Sequence, residues 1–122
     1  MLDTGVDATH PDLAGQIAEK MDFTVDGGDA SDHFGHGTHV AATIAGTGAA
    51  SDGARKGVAP EAKLVVGKVL DDNGEGTDSQ VIAGMEWAAR RPLNIAVPGV
   101  GVEAVGGVVG GWVWWGGRLW AR

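Results

Sequence analysis

The chain has 122 residues, enough for one domain or part of one, with no cysteine, 22 glycines, 5 tryptophans and a formal charge of −7 from 16 acidic and 9 basic residues. That charge argues against a partner that is nucleic acid or an anionic membrane, since either needs a basic face, and the lack of cysteine excludes a disulfide framework, a thiolate zinc site and a cysteine nucleophile. No basic-then-apolar leader opens the sequence, and no run of about 18 apolar residues predicts a membrane-spanning helix.

Met1-Leu2 before Asp3-Thr4-Gly5 reads as the end of a strand entering a turn. Residues 6–35 read mostly as loop, rich in Asp and Gly, with one extended piece from Met21 to Val25. His36 to Gly46 is small and apolar, with Val40, Ala41, Ala42, Ile44 and Ala45, and predicts a helix packed closely on every side. Thr47 to Gly57 reads as loop. Ala62 to Leu70 holds Leu64, Val65, Val66, Val69 and Leu70, the near-continuous apolar run of a central parallel strand. Asp71 to Gly76 is turn-forming, and Thr77 or Asp78 then caps a helix running to about Arg90. Val81, Met85 and Ala88 mark one face of that helix, with Ile82 and Ala89 beside it. Strand, helix, strand, helix predicts an α/β fold with a parallel sheet.

The composition changes after Arg90. Residues 1–90 hold 15 acidic and 6 basic residues, whereas residues 91–122 hold Glu103 against Arg91, Arg118 and Arg122. The second segment carries Trp112, Trp114, Trp115 and Trp120 and has Gly-Gly at 106–107, 110–111 and 116–117, pairs that argue against a stable strand or helix. The expected division is therefore a partial domain over 1–90 and an anomalous, irregular tail over 91–122. Gly, Val and Ala share codons beginning with G, so out-of-frame translation is the favoured origin of the tail. A genuine apolar strand pair or a membrane-adherent segment is the second reading, and a designed binding tail the third.

Two residues stand out as carriers of chemistry. Asp3 ends a strand, where functional side chains of a parallel sheet gather, and His36 starts a helix. A helix N-terminus disfavours an imidazolium, which a neighbouring carboxylate offsets while fixing the tautomer. An Asp in a turn that bonds its own backbone and a surface His at a helix start are the competing readings.

The surrounding motifs narrow the choice. Asp3-Thr4-Gly5-Val6-Asp7 with His10-Pro11-Asp12-Leu13 resembles the aspartate region of subtilisin-like serine proteases, and His36-Gly37-Thr38-His39-Val40-Ala41 resembles their histidine region. Gly57-Val58-Ala59-Pro60, then Lys68-Val69-Leu70-Asp71 with Gly74-Glu75-Gly76, then Val81 to Ala89 resemble three further landmarks in family order. The resemblance implies a partial subtilisin-like α/β domain, truncated at both ends, and a serine endopeptidase acting on a peptide or protein substrate. It implies Asp3 as orienting acid, His36 as general base, His39 as a packing histidine, and Leu70, Gly74, Glu75 and Gly76 as the segment pairing with an extended substrate. It also implies an extracellular location, and says nothing of oligomeric state.

Parts of the family pattern are not matched. Ser31, Ser51 and Ser79 are the only serines, and none has the family's G-T-S-M-A-like setting; neither Asn73 nor Asn94 has the setting of its oxyanion asparagine. The chain is therefore expected to be inactive by itself. Calcium is common in the family, but only Asp12, and Ser51 and Asp52 of the loop, offer side-chain oxygen here, so no cofactor and no metal is expected. Three alternatives compete: an aspartic protease of D-T-G type, with Asp3 paired to its copy across a dimer; a metal site from His33, His36 and His39 with His10 or an aspartate; and a non-catalytic peptide-binding module.

Overall fold

The computed structural model describes residues 1–91, 112–115 and 118–121. Five strands and two α-helices follow in the order β1 (Leu2–Asp3), β2 (Ile17–Asp22), α1 (His36–Ala45), β3 (Leu64–Lys68), α2 (Asp78–Ala89), β4 (Trp112–Trp115) and β5 (Arg118–Ala121). Strands β1, β3 and β2 form one parallel sheet with β3 in the centre. The α/β class and the central parallel strand are as expected.

The apolar run explains that placement. Central β3 must bury both faces, and Leu64 and Val66 within it and Val69 and Leu70 directly after it are all buried. Alternation sends successive side chains to opposite faces. On one face Met1, Val6, Leu13, Leu64 and Val66 pack with Ala41 and Ala45 of α1. On the other Leu2, Val69 and Leu70 pack with Val81 and Met85 of α2. Each fully buried Val or Leu contributes about 1.5–3 kcal/mol. Because Leu2 faces α2, its neighbour Asp3 is delivered to the α1 side.

Four details differ from the sequence reading. The second strand lies at Ile17–Asp22 instead of Met21–Val25. It is an edge strand carrying Glu19 and Lys20, and it stops where the Asp22 carboxylate accepts from the backbone of Thr24 (2.7 Å) and Val25 (3.1 Å). Helix α1 is not covered all round: Gly37, Ala41 and Ala45 form its buried stripe, while His39 and Thr43 are exposed. Helix α2 packs through Val81 and Met85 as expected, but Gly84 and Trp87 are also buried and Ile82, expected beside that face, is exposed. Gly84 lets α2 sit directly on Leu2 and Val69, which brings the Trp87 ring edge-on to Phe23 at 5.7 Å. In the tail, β4 and β5 pair antiparallel with Trp115 opposite Arg118. Gly-Gly between them in the sequence is a combination that two-residue hairpin connections favour, so that pair does not exclude strands on either side. The rest of the expected irregular tail lies outside the described residues.

The capping expectation at α2 is met in full. Thr77 Oγ1 accepts from the Gln80 N–H at 3.3 Å, and the Gln80 side chain accepts from the Thr77 N–H at 2.8 Å.

Candidate active site

In the sheet register Asp3 and Asp22 both lie opposite Lys68, so β1, β2 and β3 end level with one another. The carboxyl edge of a parallel sheet is where ligands bind, and α1 begins there. His36 is the first residue of α1, and its Nδ1 lies 2.8 Å from Oδ1 of Asp3, whose side chain is 0 % exposed. The His36 side chain is 37 % exposed. A carboxylate in that position accepts the Nδ1 proton, fixes the ring, and leaves Nε2 as the nitrogen that exchanges protons.

Asp3 is held rigidly. The Thr4 N–H donates to the same Oδ1 at 2.7 Å, and the Asp3 carbonyl accepts from the N–H groups of Val69 (2.9 Å) and Leu70 (3.2 Å). Oδ2 is buried with no partner among the described residues.

Glycine makes the close approach of α1 feasible. A side chain at Gly37 would run into the Gly5 carbonyl oxygen, and Gly5 itself has φ +106 with a Cβ position 2.5 Å from the Ala30 carbonyl oxygen. Only glycine satisfies both requirements.

The residues of the expected substrate segment reach the same edge by different routes. The Leu70 side chain is buried in the core and its N–H is taken by Asp3. Gly74 lies against the ring of Phe34, two residues before His36. Glu75 and Gly76 border an open cleft with His33, Asp71 and Asp72. Asp71 organises this loop, since its carboxylate accepts from the N–H groups of Asn73 (2.8 Å) and Glu75 (3.0 Å). Those backbone bonds hold its carboxyl below the ordinary aspartate range.

Other residues fall elsewhere. His39, expected as a packing histidine, is exposed on α1. His10 Nδ1 accepts from the Asp12 N–H at 3.2 Å. No group of three or more His, Asp or Glu residues suited to a metal ion occurs among the described residues. Asp12 Oδ1 accepts from the Ala50 N–H at 2.7 Å. The three serines bond locally: Ser31 to Asp29, Ser51 to Gly48 and Ser79 to Thr77. None bonds to His36.

Three residues that shape the site were not among the expected site residues. Lys68, one charged residue in an apolar strand, is 4 % exposed and donates to the Thr4 carbonyl oxygen. Thr4 Oγ1 accepts from the Gly37 N–H at 2.9 Å and donates to Asp32 at 2.9 Å. Asp32 stands three residues before Gly35, a spacing at which an Asp side chain bonds nearby backbone and supports a helix start.

A buried aspartate bonded to a histidine at a helix N-terminus, at the carboxyl edge of a parallel sheet, is an arrangement that can orient an imidazole for proton transfer. Residues 1–107 match the Subtilase family, and the chain belongs to it. It is 48 % identical over 100 residues to the major intracellular serine protease of Bacillus subtilis, a match covering 78 % of this chain and 31 % of that one. It is 42 % identical over 97 residues to an extracellular serine proteinase of Thermus sp., covering 80 % and 22 %. Among solved structures, sphericase superposes with TM-score 0.64 at 40 % identity, covering 72 % of this chain and 30 % of that one. The chain thus spans a third or less of these relatives' length. Among the described residues no helix is long and apolar enough to cross a membrane.

Proposed function

We propose that the chain supplies the acid–base couple of a serine endopeptidase that hydrolyses peptide bonds in peptide or protein substrates. The observation that carries this reading is the 2.8 Å bond between His36 Nδ1 and the buried Asp3 carboxylate. His36 Nε2 takes the proton of a serine hydroxyl as the oxygen attacks the scissile carbonyl carbon. The same nitrogen then returns the proton to the leaving amine. Asp3 keeps the ring in the Nδ1–H tautomer and stabilises the imidazolium while it exists. The serine comes from outside these 122 residues, and the chain alone is inactive. An extended substrate lies along the Gly74–Gly76 edge, and no cofactor takes part.

The test joins residues 1–90 to the downstream two thirds of a subtilase domain that carries its serine. Casein hydrolysis and fluorophosphonate labelling are expected from the chimera and not from the 122-residue chain. His36→Ala abolishes both, and Asp3→Asn lowers kcat by about 10⁴-fold. A folded chimera that is unlabelled, or labelling of the 122-residue chain itself, overturns the reading. The implied extracellular location belongs to the same proposal, set against relatives named intracellular as well as extracellular. Fractionation of the source cells with an antibody to this chain decides it.

A further inference from the structure

Asp32 is the most heavily bonded side chain at the site, yet it touches neither Asp3 nor His36. Oδ1 accepts from Thr4 Oγ1 (2.9 Å), the Phe34 N–H (3.1 Å) and the Gly35 N–H (2.8 Å). Oδ2 accepts from the N–H (2.8 Å) and Oγ1 (2.6 Å) of Thr38. Five donors on one carboxylate come from three places: the turn after β1, the loop leading to α1, and the first turn of α1.

The directions of these bonds are forced. A threonine hydroxyl has one proton to give. Thr4 Oγ1 already accepts from the Gly37 N–H, so its proton points to Asp32. Thr38 Oγ1 already accepts from the Asp7 N–H at 2.9 Å, so its proton also points to Asp32. The result is a closed circuit from Thr4 through Asp32 to Thr38, with Gly37 returning to Thr4. Asp3 precedes Thr4 in the chain, and His36 precedes Gly37. Burial opposes ionisation of Asp32, but the bonds from Thr38, Gly35 and Thr4 outweigh it and hold the carboxyl below the ordinary aspartate range.

We infer that Asp32 is a positioning residue, whose carboxylate locks the His36-bearing helix to the Asp3-bearing strand and so sets the His36–Asp3 bond. Three of its five bonds, to Phe34, Gly35 and the Thr38 N–H, stay within the loop and first turn of its own helix start. The Thr4 bond is different, because it crosses to another element and adjoins Asp3. The inference rests on Asp3 and His36 being the acid–base couple, but its test requires no hydrolysis.

The test is nuclear magnetic resonance of the His36 Nδ1 proton in the 15N-labelled 122-residue chain. A proton held between Nδ1 and a buried carboxylate resonates far downfield and exchanges slowly. In folded Asp32→Ala this signal is expected to move upfield and to exchange about tenfold faster or more. Thr4→Val, which keeps the side-chain shape and loses the hydroxyl, is expected to do the same. Thr4→Ser, which keeps the hydroxyl, restores the parent signal. A folded Asp32→Ala chain with the parent shift and exchange rate makes Asp32 a helix cap only and overturns the inference. Where Asp32→Ala does not fold, Thr4→Val decides on the same terms, and an unchanged signal there overturns it. Failure of the proteolysis test leaves this readout unaffected, so the two failures are distinguishable.

Discussion

The ammonium of Lys68 donates to the backbone carbonyl oxygen of Thr4, one residue after the aspartate that holds His36. Its second acceptor is Asp72 Oδ1 at 2.8 Å, at the start of the loop carrying Gly74, Glu75 and Gly76. One buried cation therefore ties the turn after β1 to the loop after β3. The two bonds are unequal in weight. The Thr4 carbonyl is buried and loses its charged donor if Lys68 is removed, whereas the Asp72 side chain is 56 % exposed and water replaces the lysine. Lys68→Met is expected to lower the unfolding free energy in urea by about 1–3 kcal/mol. Asp72→Asn is expected to lower it by less than about 1 kcal/mol. Equal losses from the two variants contradict this division.

The contact between α1 and the turn after β1 leads to a second expectation. Gly37 has no room for a methyl group, because the Gly5 carbonyl oxygen occupies that position and Gly5 is itself fixed against Ala30. The overlap is with backbone on both sides, so no side-chain rotation relieves it. Gly37→Ala is expected to cost about 1–3 kcal/mol in thermal or urea unfolding, the usual cost of overpacking. It also moves His36 away from Asp3 and weakens the His36 Nδ1 proton signal. Gly27→Ala is the control for handling, since nothing lies near that position, although its positive φ still disfavours alanine.

The elements legible in the sequence were those set by a local pattern. The apolar run of β3, the Thr77 cap of α2 and the His36 start of α1 each depend on adjacent residues. Asp3 and His36 were legible as a pair through their motifs, while their 2.8 Å bond depends on β1 and α1 meeting across 33 residues of sequence. What was not legible depends on tertiary contact. β2 carries Glu19 and Lys20 and buries none of its residues, so this edge strand leaves no apolar pattern to read. Gly84 and Trp87 join Val81 on the buried side of α2 because Gly84 lies on Leu2 and Val69, which no helical periodicity encodes. Asp32 lies in a segment read as loop and Lys68 was read only as part of the Lys68-Val69-Leu70-Asp71 landmark, since their bonding partners lie on other elements.

Arg91 is the last residue of the contiguous described segment and fastens the end of α2 to β2. Its guanidinium lies 2.7 Å from Glu19 Oε1, and its Cζ sits 4.8 Å from the centre of the Trp87 ring. Both side chains of the ion pair are partly exposed, so the charge pair alone is worth less than about 1 kcal/mol. Stacking on Trp87 adds about 0.5–1 kcal/mol and depends on the planar guanidinium. Arg91→Lys is therefore expected to lose most of what Arg91→Ala loses, about 1 kcal/mol in urea unfolding. A double-mutant cycle with Glu19→Gln gives the smaller share to the ion pair. Full retention of stability in Arg91→Lys assigns the contribution to charge and contradicts the stacking account.

Acid should unfold the domain through a small set of named carboxylates. For Asp22 burial opposes ionisation, but bonds from Thr24 and Val25 prevail and lower its pKa. Asp32 shows the same balance, with Thr38 and Gly35 as donors. In both the folded value lies below the unfolded one, which is about 3.9. Their stabilisation is then fully present above about pH 4 and is lost as pH falls through the folded value. Stability measured by urea unfolding in about 0.5 M salt, where long-range repulsion from the net negative charge is screened, should fall modestly from about pH 8 to about pH 6, because burial lowers the Met1 amino group from 8.0 to about 6 and the unfolded chain takes up that proton first. It should then decline steeply below about pH 4. Asp32→Asn removes the preference for the ionised form at one site, so it lowers stability at pH 7 and flattens the acid limb. An acid limb of equal slope in Asp32→Asn and the parent places the titrating groups elsewhere and removes Asp32 from the account of acid stability.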